Sequence, residues 1–330
     1  MTANLIEMWN NPDLNENLDM VHFAARVRSV LTALSTPAPD VVLLQEVTAE
    51  SAATVATQLT SRTGRTYAVG VNAASGAGAV ESNPATGPLV RRETAILYNT
   101  ETVSLSSPAA SLIGYPESQV QDGEWLSLRQ ATALVTKRSS GKKFAIYGTH
   151  FQTHNKVIDH DLYGGIWADF LKRRVNEIPA YAGATPVIAG DFNRRPCINE
   201  TDSSLASSGY MTACSGASGE QMSGLWTAMT NSTTDGPGTY VAARPATEAA
   251  PDNIFTTGTV VSTNRDYDYK AYGTGETRFA NASDFLTCHY LYNGGNGYTG
   301  GQGSSSTADA IPGCAERYYS DHAFVWATIQ

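Results

Sequence analysis

Ser320-Asp321-His322-Ala323-Phe324-Val325-Trp326-Ala327-Thr328-Ile329, at the end of a 330-residue chain, sets an acid and an imidazole directly before an apolar stretch. Phe324, Trp326 and Thr328 recur at the two-residue period of a half-buried strand. The arrangement is mirrored inside the chain. Pro186-Val187-Ile188-Ala189 reads as a short buried strand, and Gly190-Asp191-Phe192-Asn193 follows it with an aspartate and an asparagine at the exit. Two more apolar runs end the same way, Val41-Val42-Leu43-Leu44-Gln45 on Glu46 and Ala145-Ile146-Tyr147-Gly148-Thr149 on His150. Thr2-Ala3-Asn4-Leu5 opens the chain in similar fashion. Chemical residues at strand ends are carried by loops on a rigid scaffold, where catalytic groups collect.

Between these stretches, helical and strand signals alternate without an internal repeat. Val21, Ala24, Ala25, Val27, Val30, Leu31 and Leu34 fall at helical spacing, with Asp19 near the start and Pro37 after the end, which predicts an amphipathic helix over 18–34. Thr48-Ala49-Glu50-Ser51 resembles a capped start for a second helix running to Leu59. Residues 66–71, 94–98, 128–137 and 144–149 read as strands, the last two joined through the hairpin signal Ser139-Ser140-Gly141. A third helix is expected over 158–181, ending before Gly183. The Gly-, Ala- and Ser-rich stretch 72–88 reads as a mobile surface loop, and turn residues dominate 201–251 and 264–317.

Composition bounds the function. No Pro-rich or charged linker divides the chain, so residues 1–330 are read as one domain. No apolar run is long enough to span a bilayer, and residues 1–20 lack the basic-then-apolar pattern of a signal peptide. Twenty-two basic against 31 acidic residues give a formal charge of −9. That balance argues against a broad basic face for nonspecific nucleic-acid binding, while leaving room for a local patch from Arg91, Arg92, Arg129, Arg194 and Arg195. Cys197, Cys214, Cys288 and Cys314 fit neither a zinc ribbon nor a CxxC redox site. Disulfides paired in order, Cys197 with Cys214 and Cys288 with Cys314, are expected, with buried free thiols as the alternative. An exported protein follows from that expectation. Asn199, Asn231 and Asn281 head Asn-X-Ser/Thr sites that matter only in a glycosylating host.

In order and spacing, the five stretches around Asn4, Glu46, His150, Asp191 and His322 resemble the endonuclease/exonuclease/phosphatase superfamily, the DNase-like metal-dependent phosphoesterases. The resemblance runs from Asn4 to the end of the chain. It implies an α/β fold, a four-layer αββα sandwich with two mixed β-sheets face to face and helices outside. A strand ending at Asn4 needs residues before it, so the start at Met1 looks clipped and a removed signal peptide fits. The resemblance makes Glu46 the principal metal ligand, with Asn4 orienting it or completing the shell and Asp321 close enough to contribute. Such oxygen donors suit Mg2+, with Mn2+ as a substitute.

By the same resemblance, Asp191 orients or deprotonates the attacking water and Asn193 donates to the phosphate. His322, paired with Asp321, stabilises charge on the phosphoryl oxygens, and His150 stands on the opposite side with Glu93 as its carboxylate partner. Asp252, in Pro251-Asp252-Asn253-Ile254-Phe255, supports the catalytic histidine or the water; Asn253 departs from the family's usual aromatic or histidine there. His154 and His160 read as loop histidines, and His22 and His289 carry no partner pattern. Substrate is not specified by fold. A secreted, monomeric nuclease acting on phosphodiester bonds is the leading expectation. A phosphomonoesterase or a sphingomyelinase-like phospholipase is the alternative, and a noncatalytic binding module on the same fold is the reading from another class.

Overall fold

Two mixed β-sheets lie face to face in the structure, a computed structural model that describes residues 1–5, 16–47, 49–72, 82–83, 87–88, 93–114, 127–151, 178–191, 230–231, 240–241, 248–249, 252–267, 276–281, 283–284, 320 and 322–330. The strands are β1 (Thr2–Asn4), β2 (Val41–Val47), β3 (Tyr67–Asn72), β4 (Ser82–Asn83), β5 (Gly87–Pro88), β6 (Glu93–Asn99), β7 (Val103–Gly114), β8 (Ser127–Lys137) and β9 (Lys143–Phe151). They continue as β10 (Thr185–Asp191), β11 (Thr230–Asn231), β12 (Tyr240–Val241), β13 (Glu248–Ala249), β14 (Asp252–Thr256), β15 (Val260–Tyr267), β16 (Glu276–Thr277) and β17 (Val325–Ile329). One sheet has the order β16-β15-β17-β1-β2-β6-β3, the other β11-β14-β10-β9-β8-β7. Each mixes directions: β1 runs parallel to β2 and β9 to β10, among antiparallel neighbours. Two small ribbons, β4–β5 and β12–β13, complete the described strands.

Strand periodicity builds the layers. Leu43, Ile96 and Val325 from the first sheet meet Ala131, Ala133, Ile146, Val187, Ala189 and Ile254 from the second in a core between the sheets. The intervening residues of the first sheet, Ala3, Val42, Leu44, Ala95, Leu97, Phe324 and Trp326, face the helices α1 (Glu16–Ala33) and α2 (Ala49–Thr63). Met20, Phe23, Ala24, Val27, Val30 and Leu31 form the buried stripe of α1, and Phe23 meets Phe324 edge-on at 5.7 Å. β17 is therefore covered on both faces at its start rather than half-buried along one, because Val325 turns toward the opposite sheet and Phe324 and Trp326 toward the helices. The α/β sandwich architecture expected from the sequence is the one observed. Among the described residues no helix is long and apolar enough to cross a membrane.

Local chemistry sets the boundaries. α1 ends with Ser35 in the left-handed region at φ 51°, and the Thr36 N–H closes back on the Leu31 carbonyl at 2.9 Å. Gly141 at φ 71° turns the β8–β9 hairpin, as its sequence signal foretold. The helix expected to run through Tyr181 does not do so unbroken. Ile178 is extended at φ −93°, ψ 103°, and a new 3-10 turn, Pro179–Tyr181, starts after it. The cause is Pro179, whose ring disfavours a helical residue before it; the remainder of that expected helix lies outside the described residues. β7 was not among the strands expected from the sequence. It survives as an edge strand because the register shifts between Ser106 and Ala109, where a bulge accommodates Pro108. An apolar cavity of about 220 Å3, lined by Leu31, Val41, Ile146, Trp326 and Ile329 among others, opens beside Met1. The Met1 amine there donates to the Val41 carbonyl at 3.1 Å, and burial pushes its pKa down to about 5.

Candidate active site

The two-residue period that buries Ile146, Val187, Ala189 and Ile254 between the sheets carries His150, Asp191 and Asp252 onto that same face. Register then aligns them. Asp191 stands opposite His150 on the parallel neighbour β9 and opposite Asp252 on the antiparallel neighbour β14, so the three occupy one row across adjacent strands. The row is buried, and Asp191 is 1 % exposed. Close approach of β10 to β9 requires the glycine just before it. At φ 153°, a Cβ on Gly190 would run into the Thr149 carbonyl.

Glu46 faces this row from the other sheet. Leu44 pairs with Ala95 but Val47 with Glu93, so β2 carries one extra residue against β6, and Glu46 takes the left-handed conformation at φ 57° within that bulge. A bulge bends its strand and redirects a side chain, a recurrent device beside active sites. Glu46 Oε1 and Asp191 Oδ2 both lie 3.7 Å from His150 Nε2.

His322, just ahead of β17, completes the cluster. Its Nδ1 is 2.8 Å from Asp252 Oδ2, a charge-assisted distance at which the ring donates and the carboxylate accepts, leaving Nε2 3.9 Å from Asp191 Oδ2. Asp252 was expected to support the catalytic histidine or the water; Asp321, also expected beside His322, lies outside the described residues. Ligand atoms of Glu46, His150 and Asp191, and again of Asp191, Asp252 and His322, converge within 4.8 Å of one another. Two carboxylates brought this close in a partly dry site repel each other unless a cation stands between them, so the donor set fits a divalent ion.

Of the other expected site residues, Asn4 ends β1 opposite Gln45 in register, and Glu93 opens β6 opposite Val47. Arg129 pairs with His150 across β8 and β9. Asn193, Arg91, Arg92, Arg194, Arg195, His154, His160, His289 and all four cysteines lie outside the described residues. His22 is buried on α1. A second polar cluster behind His322 was not foreseen. Arg26 from α1 grips Asp266 on β15, and the wholly buried Arg278 reaches the Ser320 carbonyl. The one available signal was Arg26 itself, an arginine standing between Phe23 and Val27 of the apolar stripe.

A profile of the endonuclease/exonuclease/phosphatase family matches residues 8–322. No curated protein matches the chain. Among solved structures, an endonuclease/exonuclease/phosphatase family protein from Bacteroides thetaiotaomicron superposes with a TM-score of 0.50 at 13% identity, over 82% of this chain and 88% of its own. The mannosyl-6-phosphatase Bt3783 from B. thetaiotaomicron VPI-5482 gives 0.49 at 12% identity over 83% and 94%. D. rerio TDP2 complexed with a single-strand DNA product gives 0.45 at 16% identity over 83% and 92%. With the profile spanning nearly its whole length, the chain belongs to the endonuclease/exonuclease/phosphatase family and is a phosphoester hydrolase of that divalent-metal-dependent group.

Proposed function

We propose that the chain is an exported, magnesium-dependent nuclease that cleaves phosphodiester bonds by in-line attack of water. The observation that carries the reading is the convergence of Glu46, His150, Asp191 and the Asp252–His322 pair at one end of the sandwich. Glu46 would hold the ion, with Asn4 and Asp321 as further oxygen donors. When bound, magnesium neutralises phosphate charge and lowers the pKa of a coordinated water. Asp191 accepts the proton of the attacking water, since its Oδ2 is the atom both imidazoles face. Asp252 holds the Nδ1 proton of His322, which fixes the tautomer and aims Nε2 at the substrate side as a donor to phosphoryl oxygen. His150 donates from across the row, with Glu46 and Asp191 balancing its charge. Asn193 and Glu93 take the supporting roles their positions in the sequence suggest.

Arg129 supports a polyanionic substrate, because its register opposite His150 brings a basic residue beside the row despite the chain's net charge of −9. The experiment is a substrate panel of plasmid DNA, RNA, bis-nitrophenyl phosphate, mono-nitrophenyl phosphate and sphingomyelin, each with magnesium and with EDTA. Magnesium-dependent cleavage of a nucleic acid and the diester supports the nuclease. Turnover confined to the monoester or to sphingomyelin replaces it with the corresponding alternative.

A further inference from the structure

We infer that Arg278 is a positioning residue for His322, acting through the Ser320 carbonyl, and that Arg26 and Asp266 hold it in place. This rests on the assignment of His322 to the active site. Arg278 is 0 % exposed. Its Nη1 donates to the Ser320 carbonyl at 2.8 Å, and its Nε is 3.9 Å from Asp266 Oδ2. Asp266 is gripped from the far side by Arg26, which donates Nε and Nη2 to Oδ1 at 3.1 and 2.8 Å and Nη2 to the Thr277 carbonyl at 3.0 Å. The backbone N–H of Asp266 in turn donates to the Phe324 carbonyl at 3.0 Å.

The chain from Ser320 to Phe324 is thereby bracketed around the histidine. Arg278 holds its first carbonyl, Asp266 holds its last, and between them the His322 N–H donates to Ser320 Oγ at 3.0 Å. Asp252 holds only the ring. The carbonyl of Ser320 orients the peptide that leads toward His322, so the guanidinium sets where the imidazole arrives before Asp252 sets how it turns. A charged donor on a buried carbonyl makes a stronger bond than a neutral one. The planar guanidinium can serve Asp266 and Ser320 together, whereas the single ammonium of a lysine lacks that fixed fork.

The test compares Arg278→Lys, Arg278→Ala and Ser320→Ala with the wild type. Arg278→Lys is expected to lower kcat by about tenfold and Arg278→Ala by about 100-fold, the scale of a misplaced catalytic group, with KM within about twofold. Guanidinium chloride at millimolar concentration should restore part of the Arg278→Ala loss. Ser320→Ala, which leaves the charge cluster intact, should lower kcat several-fold. The second readout needs no substrate. The imidazole Nδ1–H resonance of His322 should broaden or shift upfield in each variant.

Folded Arg278→Ala with wild-type kcat and an unmoved His322 resonance overturns the inference, as does a guanidinium-insensitive loss. If Arg278→Ala does not fold, Arg278→Lys decides by the same two measurements. A moved resonance in a protein that hydrolyses no phosphoester would sink the nuclease reading and leave the positioning role standing.

Discussion

Glu46 reaches its neighbours only because its own backbone sits where glycine is at ease. A non-glycine residue in the left-handed region costs roughly 1–2 kcal/mol, offset in part by the greater chain entropy glycine must lose. Glu46→Gly should therefore raise stability by about 0.5–1 kcal/mol in EDTA, read from the urea midpoint, while weakening magnesium affinity at least about tenfold by calorimetry. For Glu46→Gln, raised magnesium should restore part of the lost rate by mass action. Asp191→Asn and His322→Ala are expected to behave otherwise, each lowering kcat at least about 100-fold with smaller changes in KM that excess metal does not repair. Asp252→Asn should follow His322→Ala, because it removes the charge that holds the Nδ1 proton. His154→Ala is the control. Wild-type turnover by His322→Ala together with an inactive His154→Ala would discard this assignment.

At the scale of elements, legibility depended on whether a signal was local. His150 and Asp191 could be found because each closes an apolar run, and the period that buries the run also fixes the face its last residue takes. Asp252 and His322 lie 70 positions apart, and only the family resemblance, not a local pattern, linked Asp252 to the histidine or the water. The bulge at Glu46 is a matter of register between β2 and β6, which single-strand patterns do not contain. β7, which Pro108 interrupts at a sheet edge, was not among the strands expected from the sequence. β1 carries a prediction of its own. In a chain that begins at Met1, with the folded amine near pKa 5 and the unfolded one at 8.0, the unfolded state binds more protons between these values. Stability should thus rise from pH 5 to pH 8, by on the order of 4 kcal/mol for three units, and N-terminal acetylation should flatten that slope.

For the whole molecule, the apolar patterns called for layers of strands and helices that a sandwich satisfies, while the choice of the sandwich over another α/β arrangement came from the family resemblance. The patterns did not reveal the Arg26–Asp266–Arg278 cluster, since an arginine on an amphipathic helix ordinarily marks its solvated side. Exhaustive chelation should abolish hydrolysis, and manganese should substitute for magnesium. Residual turnover in the absence of divalent ions would refute the metal-dependent mechanism. Export is tested through the cysteines. Mass mapping of unreduced protein from an oxidising compartment is expected to give two intramolecular links, and four free thiols would remove the chief argument for secretion.

The left-handed backbone at position 46 also bears on descent. A lineage that still hydrolyses its substrate must retain a residue its fold would rather exchange, whereas one released from that task gains stability by the first replacement. Drift at this position should then run ahead of drift at Asp191, where no backbone strain favours change, so glycine or asparagine at 46 beside an intact Asp191 would be the early mark of a sister chain that has lost catalysis and kept its fold.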